Sequence, residues 1–178
     1  MRVGGFQATN TAIQNPFTFY YVHNNDWSST HSYQFWNKNF TTAVGVNNET
    51  TLKTIYSPSP SGFVEPKTAT FTNFTSSGTT ETNINYMNIS EGWNEGWNVH
   101  TIGWKTGPTI FFKALGSRND SNNGQITDYG HDGHCWTVGA ISASMAYYLG
   151  YSTSGYYINP QAGYYRHLAF AIRPVKNE

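Results

Sequence analysis

The sequence predicts an α+β domain with short helices, antiparallel sheets and long loops, on three observations. Only 11% of residues are charged, and Asn, Thr, Ser and Gly are abundant where Lys and Glu are scarce, a balance that disfavours long helices and favours short strands joined by turns. Aromatic residues reach 17% within a hydrophobic total of 38%, so the core has to be rich in rings and heavy in loops. The strand candidates late in the chain follow one another too closely for helical crossovers, which makes that sheet antiparallel. A chain of 178 residues is long enough for a proper core, and residues 1–178 are expected to form a single domain.

Taken in order, residues 10–20 begin polar and then place Ile13, Phe17 and Tyr20 for a short helix interrupted at Pro16. Residues 26–48 read as a long loop pinned by Trp27, Tyr33, Phe35 and Trp36. Residues 52–56 (LKTIY) alternate like a half-buried strand, stopped by the Ser-Pro run that follows. Residues 66–74 open with Pro66 at a helix start and space Ala69, Phe71 and Phe74 along one side. Residues 76–85 read as a flexible surface loop, and the tandem EGWNEGWN at 91–98 as a turn with two anchoring indoles rather than a sugar-stacking repeat. Residues 99–104 and 109–115 read as strands joined through Gly107-Pro108. Four further strand candidates follow Arg118: GHCWTV, MAYYLGY, GYYIN and RHLAFAIRPV.

Composition also bounds function. Ten basic and ten acidic side chains are scattered singly and cancel, which leaves no footprint for nucleic acid or an anionic membrane. No apolar run approaches a membrane span, and the first residues lack the hydrophobic segment of a signal peptide, so the sequence begins either a chain delivered without a signal or a piece of a longer one. The single cysteine, Cys135, makes no internal disulfide.

Residues 118–178 are where the composition turns unusual. A framework of Gly, Trp, Leu, Phe and Ile is interleaved there with Tyr, Asn, Ser, His and Asp, and eight of the thirteen Tyr lie between Tyr129 and Tyr165. Tyr supplies contact area at low rotamer cost and Ser, Gly and Asn supply adaptable hydrogen bonds, which is the composition of a binding surface; aromatic-rich strands are the alternative reading. In a strand the doublets Tyr156-Tyr157 and Tyr164-Tyr165 send one ring to each face.

Several segments together resemble a known family. YSPSPSGFVEPKTATFTNF at 56–74, IFFKALGSR at 110–118, GHCWT at 133–137, AYYLGY at 146–151 and FAIRPVK at 170–176 are similar, in wording and in order, to elements of the Fibrobacter succinogenes major paralogous domain family and its relatives in gut Bacteroides and their phages. The resemblance implies a C-type-lectin-like fold, shared with formylglycine-generating enzymes and with the variable proteins of diversity-generating retroelements. In those variable proteins the C-terminal strands and loops carry a ligand-binding surface whose codons are rewritten. His134-Cys135 stands where the family has Tyr-Tyr, Ser59 where it has Cys, Lys113 where it has Pro and Ala169 where it has Gly.

His131-Asp132-Gly133-His134-Cys135 is the cluster that brings metal-ligating side chain types together in sequence. As strand neighbours His134 and Cys135 face opposite ways, which opposes both a zinc site and a Cys-His nucleophile. Glu65-Pro66-Lys67 and Trp36-Asn37-Lys38 match calcium-dependent sugar motifs only in part, and the formylglycine-generating relatives use a cysteine pair that this chain lacks. Trp136, Arg118 and Arg173 fall on family framework positions and are expected to be structural. The sequence therefore predicts a non-enzymatic ligand-binding domain without catalytic site, metal or cofactor, carried on a bacterial surface adhesin or phage tail tip. Its partner would be a protein or glycan on a cell surface, bound by residues 118–178 through His131, His134, Tyr148, Tyr156, Tyr157, Tyr164, Tyr165 and His167. The alternatives are a relative of the formylglycine-generating enzymes and a structural module of a surface protein.

Overall fold

The computed structural model describes residues 2–5, 11, 14–15, 17–22, 25–26, 28, 32–40, 45–90 and 92–177. Among them the chain forms eleven short strands. Strand β1 (Arg2–Gly4) runs parallel to β2 (Phe19–Tyr21), and β3 (Phe63–Val64) pairs antiparallel with the last strand, β11 (Val175–Lys176). An antiparallel hairpin joins β4 (Gly96–His100) to β5 (Thr109–Lys113), and a two-residue ladder joins β6 (Ser117–Arg118) to β7 (Ile126–Thr127). The largest sheet is antiparallel with β9 (Met145–Ser152) between β8 (Asp132–Ala140) and β10 (Tyr157–Tyr165).

The α+β expectation is corrected: 37% of the structure is strand, 5% is helical, and no helix reaches seven residues, so the helices of the C-type-lectin-like expectation are not formed. Among the described residues, helical conformation is limited to Thr11 and Gln14 and to two 3-10 segments, Thr72–Phe74 and Ile84–Tyr86. The physical reason lies in the segment at 66–74. Its threonines are β-branched, Thr72 Oγ1 bonds back to the Ala69 carbonyl at 2.9 Å, and so short a run does not repay the cost of helix nucleation. Of the expected first helix, Ile13 and Pro16 lie outside the described residues, and Tyr20 belongs to β2. Trp27 of the long aromatic-pinned loop also lies outside them, as does Glu91 of the tandem tetrapeptide.

Other elements differ from the sequence reading: the turn read at 91–98 gives way to β4 from Gly96, and the strand read at 99–104 ends at His100. Residues 52–56 form a turn, with Leu52 and Ile55 exposed, because Asn37 Oδ1 takes the Leu52 amide at 2.8 Å and holds this stretch as loop. Residues 76–85 are pinned rather than loose, since Glu81 and Ile158 exchange both backbone hydrogen bonds at 2.9 and 3.0 Å. The fourth late strand candidate is largely irregular: among the described residues it forms isolated bridges at Ala169 and Ala171 before β11, and the Arg166 and His167 amides bond to the Ser144 and Asn25 carbonyls.

The main core lies between the β4–β5 hairpin and one face of the large sheet. Trp97, Val99 and Phe112 from the hairpin meet Cys135, Leu149, Tyr151 and Ile158 from the sheet, with Phe71, Met87 and Ile89 filling in. Gly133 is required here by close approach: a Cβ on it would fall 1.9 Å from the Tyr151 ring, which is fixed by a 2.7 Å hydrogen bond from its hydroxyl to the Lys113 carbonyl. A smaller cluster on the opposite face joins Trp136, Tyr148 and Ala162, covered by Trp36, Leu168, Phe170 and Ile172. Among the described residues, no helix is long and apolar enough to cross a membrane.

Candidate ligand-binding cleft

Cross-strand pairing decides which side chains share the second face of the large sheet. Tyr148 pairs with Trp136 and Ala162, Gly150 with His134 and Asn159, and Ser152 with Asp132 and Tyr157. Directly opposed residues stand on one face, so these side chains all belong to it. In β10 the register shifts between Asn159 and Ala162. That bulge contains Pro160, which a regular ladder would not accept, and it changes the parity of the strand. As a result Tyr157 before the bulge and Tyr164 after it face the same way, although an uninterrupted strand would put them on opposite sides.

Where this face meets the loop after β6, a polar cleft of about 270 Å³ opens. The sheet contributes Asp132, His134, Tyr148 and Tyr164; Ser117 comes from β6, Asn119 and Asp120 from the loop after it, and Asp128 from the turn after β7. His167 and Phe170 close the far side. The loop is folded tightly at its base: Gly116 has φ +67°, and a Cβ there would sit 1.9 Å from the Thr127 carbonyl oxygen. The backbone carbonyl of Asp128, a residue also at positive φ, accepts the amides of His131 and Asp132 at 3.0 and 2.9 Å and so delivers the chain into β8.

Four of the eight residues singled out from the sequence line this cleft: His134, Tyr148, Tyr164 and His167. Their environments differ. Tyr164 is 46% exposed, whereas Tyr148 is 9% exposed and His167 only 3%. His167 is wedged by its Nε2, 3.5 Å from Asp120 Oδ1, and its Nδ1, 3.2 Å from the Asn25 carbonyl oxygen. Tyr157 stands on the same face beyond Gly150, whose missing side chain leaves space between the Tyr148 and Tyr157 rings; a Cβ there would lie 2.9 Å from Tyr148 and 3.4 Å from Tyr157. The other three do not line the cleft. His131 is exposed in the turn before β8, Tyr156 is exposed at positive φ in the β9–β10 turn, and Tyr165 is half-buried with its ring edge-on to Tyr164 at 5.7 Å.

His134 stacks on Phe170 with ring centroids 4.4 Å apart, and its Nδ1 is buried with no hydrogen-bond partner. Burial lowers its pKa, against the opposing pull of Asp132, the Gly116 carbonyl and Asp128. The imidazole is therefore neutral at pH 7. Burial acts the other way on Tyr148, raising the phenol far above its usual range, with the Tyr157 and Tyr164 hydroxyls and Asp132 close enough to add to the effect.

The depressed His134 pKa has a measurable sign. As pH falls, the unfolded chain takes up this proton first, near the unperturbed value of about 6.5. Stability is therefore full above that value and is lost as pH drops through it toward the lower folded value. Denaturant midpoints measured between pH 7 and pH 5 should fall more steeply for the native protein than for His134→Phe, which keeps the stack and removes the titration. Equal slopes would show that His134 charges freely in the folded state.

Cys135, next to it in the strand, faces the main core, where burial pushes its thiol up to about 12. A buried, protonated thiol on the opposite face from His134 offers that imidazole no thiolate to pair with. Among the described residues no three His, Cys, Asp or Glu side chains come together as a metal site. Glu65 of the partial calcium motif is fully buried and accepts hydrogen bonds from the Ser57 and Ser59 hydroxyls, both at 2.7 Å, so it anchors the Ser-Pro run. Asn37 of the other motif is likewise buried and caps its own loop. Trp97 is 1% exposed with Trp93 edge-on at 4.9 Å, which makes this pair core and not a second site.

Sequence reasoning missed the acidic side of the cleft. Three of the four aspartates in the chain, Asp120, Asp128 and Asp132, fall within this short stretch and line the same cavity, and their clustering in the sequence was the available signal. No family model, curated protein or solved structure matches the chain.

Proposed function

We propose that this chain is a non-enzymatic ligand-binding domain whose recognition surface is the β8–β9–β10 face and the cleft at its edge. The observation that carries the reading is the bulge in β10, which brings Tyr157 and Tyr164 onto the face that already holds His134 and Tyr148. Binding energy concentrates in a few aromatic anchors surrounded by adaptable polar groups, and this face supplies both. The resemblance to retroelement variable proteins extends the proposal: the polar and aromatic positions of residues 118–178 are the ones rewritten, and the domain is displayed on a bacterial surface adhesin or phage tail tip to engage a protein or glycan on another cell.

The buried framework supports a division between positions that hold the fold and positions free to vary. Trp136 is 6% exposed, Arg118 lies over the Phe19 ring at 5.2 Å and donates from Nε to the Gly124 carbonyl, and Arg173 lies over Phe112 at 4.9 Å. A second reading, a structural module packed against a neighbour, is favoured by a different observation: Ile102, Trp104, Ile110 and Phe111 leave the β4–β5 hairpin with an exposed apolar surface.

Peptide and glycan arrays followed by hydroxyl-radical footprinting with a captured ligand separate the two. Protection of Tyr157, Tyr164 and His134 is the expected result. Protection confined to Trp104, Ile110 and Phe111 would overturn the proposed site in favour of the hairpin.

A further inference from the structure

We propose that the cleft recognises an organic cation, the guanidinium or alkylammonium end of a long side chain or free amine. The inference rests on the reading of this face as a binding surface and adds the chemistry of what enters it. Asp120, Asp128 and Asp132 line the cavity, and no Lys or Arg does. Asp120 is engaged with His167, but among the described residues neither Asp128 nor Asp132 has a hydrogen-bond or ion-pair partner for its carboxylate. Three acidic side chains elsewhere are paired within the fold, Glu95 with Lys113, Asp26 with Arg166 and Glu65 with two serines, whereas Asp128 is exposed and Asp132 half-buried at the cleft. The two cleft carboxylates thus face a space that lacks the opposite charge.

A second observation points into the same space. Tyr148 is nine-tenths buried and lines the cleft, yet its hydroxyl makes no hydrogen bond among the described residues. The fold holds the ring while the hydroxyl oxygen is not among the side-chain atoms sealed from solvent, so it opens into the cleft. A nitrogen cation supplies what is missing: N–H donors for the phenol oxygen and both carboxylates, and a positive charge for the π faces of Tyr148, Tyr164 and Phe170. His134, held neutral by burial, does not compete as an internal cation at pH 7. At about 270 Å³ the cavity lies just below the range typical of sites for drug-sized ligands, so it suits one extended side-chain terminus.

The test titrates the intact chain with Nα-acetyl-arginine methylamide, its lysine counterpart, agmatine as a free amine, and the neutral isostere Nα-acetyl-citrulline methylamide, following the ring resonances of Tyr148, Tyr164 and His134 by NMR. The expected result is saturable shifts with the cations, at least tenfold weaker or absent with citrulline. Asp128→Asn/Asp132→Asn should also weaken cation binding at least tenfold, in a protein that folds normally because neither carboxylate has a partner to lose. Stronger binding of the amides than of agmatine assigns the cation to a polypeptide side chain, and the reverse assigns it to a free amine. Citrulline binding equal to arginine would overturn the cation assignment while leaving the cleft a binding site. Absence of shifts with every probe would also overturn it, and the footprint of an array ligand would then decide the surface reading alone.

Discussion

Trp97→Ala is expected to destabilise the domain by about 3–5 kcal/mol, the usual cost of emptying a large aromatic site in a core. Trp97 is 1% exposed at the centre of the main core and is packed edge-on against Trp93. The loss compares with a total of roughly 5–15 kcal/mol for a domain, so a large share of the molecules should unfold well below the native midpoint in urea. Trp97→Phe is expected to cost much less, because it fills most of the space and removes an indole N–H that is buried without a partner. An Ala variant with an unaltered midpoint would show that the hairpin does not close the core in solution.

Trp136→Ala should cost about the same, roughly 3–5 kcal/mol, through a different part of the molecule. Its indole lies 4.4 Å from the Phe170 ring and 5.8 Å from Tyr148, and it is 6% exposed. Phe170 and Tyr148 also line the cleft, so the cavity left by the indole loosens the wall of the binding site as well as the fold. Denaturant unfolding checks the stability loss. A soluble, cooperatively folded Ala variant with an unchanged midpoint would move Trp136 from framework to exposed surface.

The sequence made some of this legible. The strand candidates GHCWTV and MAYYLGY fell within β8 and β9, and the facing rule for strand neighbours separated His134 from Cys135 correctly. The same rule placed the members of each Tyr doublet apart, but it could not relate Tyr157 to Tyr164. Their shared face depends on a bulge around Pro160, and a bulge leaves only a Pro in the sequence. The helix read at 66–74 failed because the spacing of Ala69, Phe71 and Phe74 satisfied an amphipathic pattern over too few residues to nucleate, while threonine hydroxyls offered local alternatives. Leu52 and Ile55 alternated like a strand, yet among the described residues no strand pairs with them.

Burial was the least legible property. His167 and Tyr148 look like exposed paratope residues by type, and both are buried, one wedged between Asp120 and the Asn25 carbonyl and the other leaning over Gly150. The aspartates went unread because an isolated Asp is ordinarily a solvated loop residue. Only the fold of the loop after β6 brings Asp120, Asp128 and Asp132 to one cavity.

The most direct test of the recognition face is the affinity of Tyr164→Ala for a ligand captured on the arrays, measured beside its unfolding midpoint. Tyr164 is 46% exposed at the mouth of the cleft. Its removal should leave stability within about 0.5 kcal/mol and weaken binding by about 2 kcal/mol or more, some thirtyfold. Unchanged affinity for Tyr164→Ala together with a comparable loss for Trp104→Ala would contradict the assignment and place the binding surface on the β4–β5 hairpin.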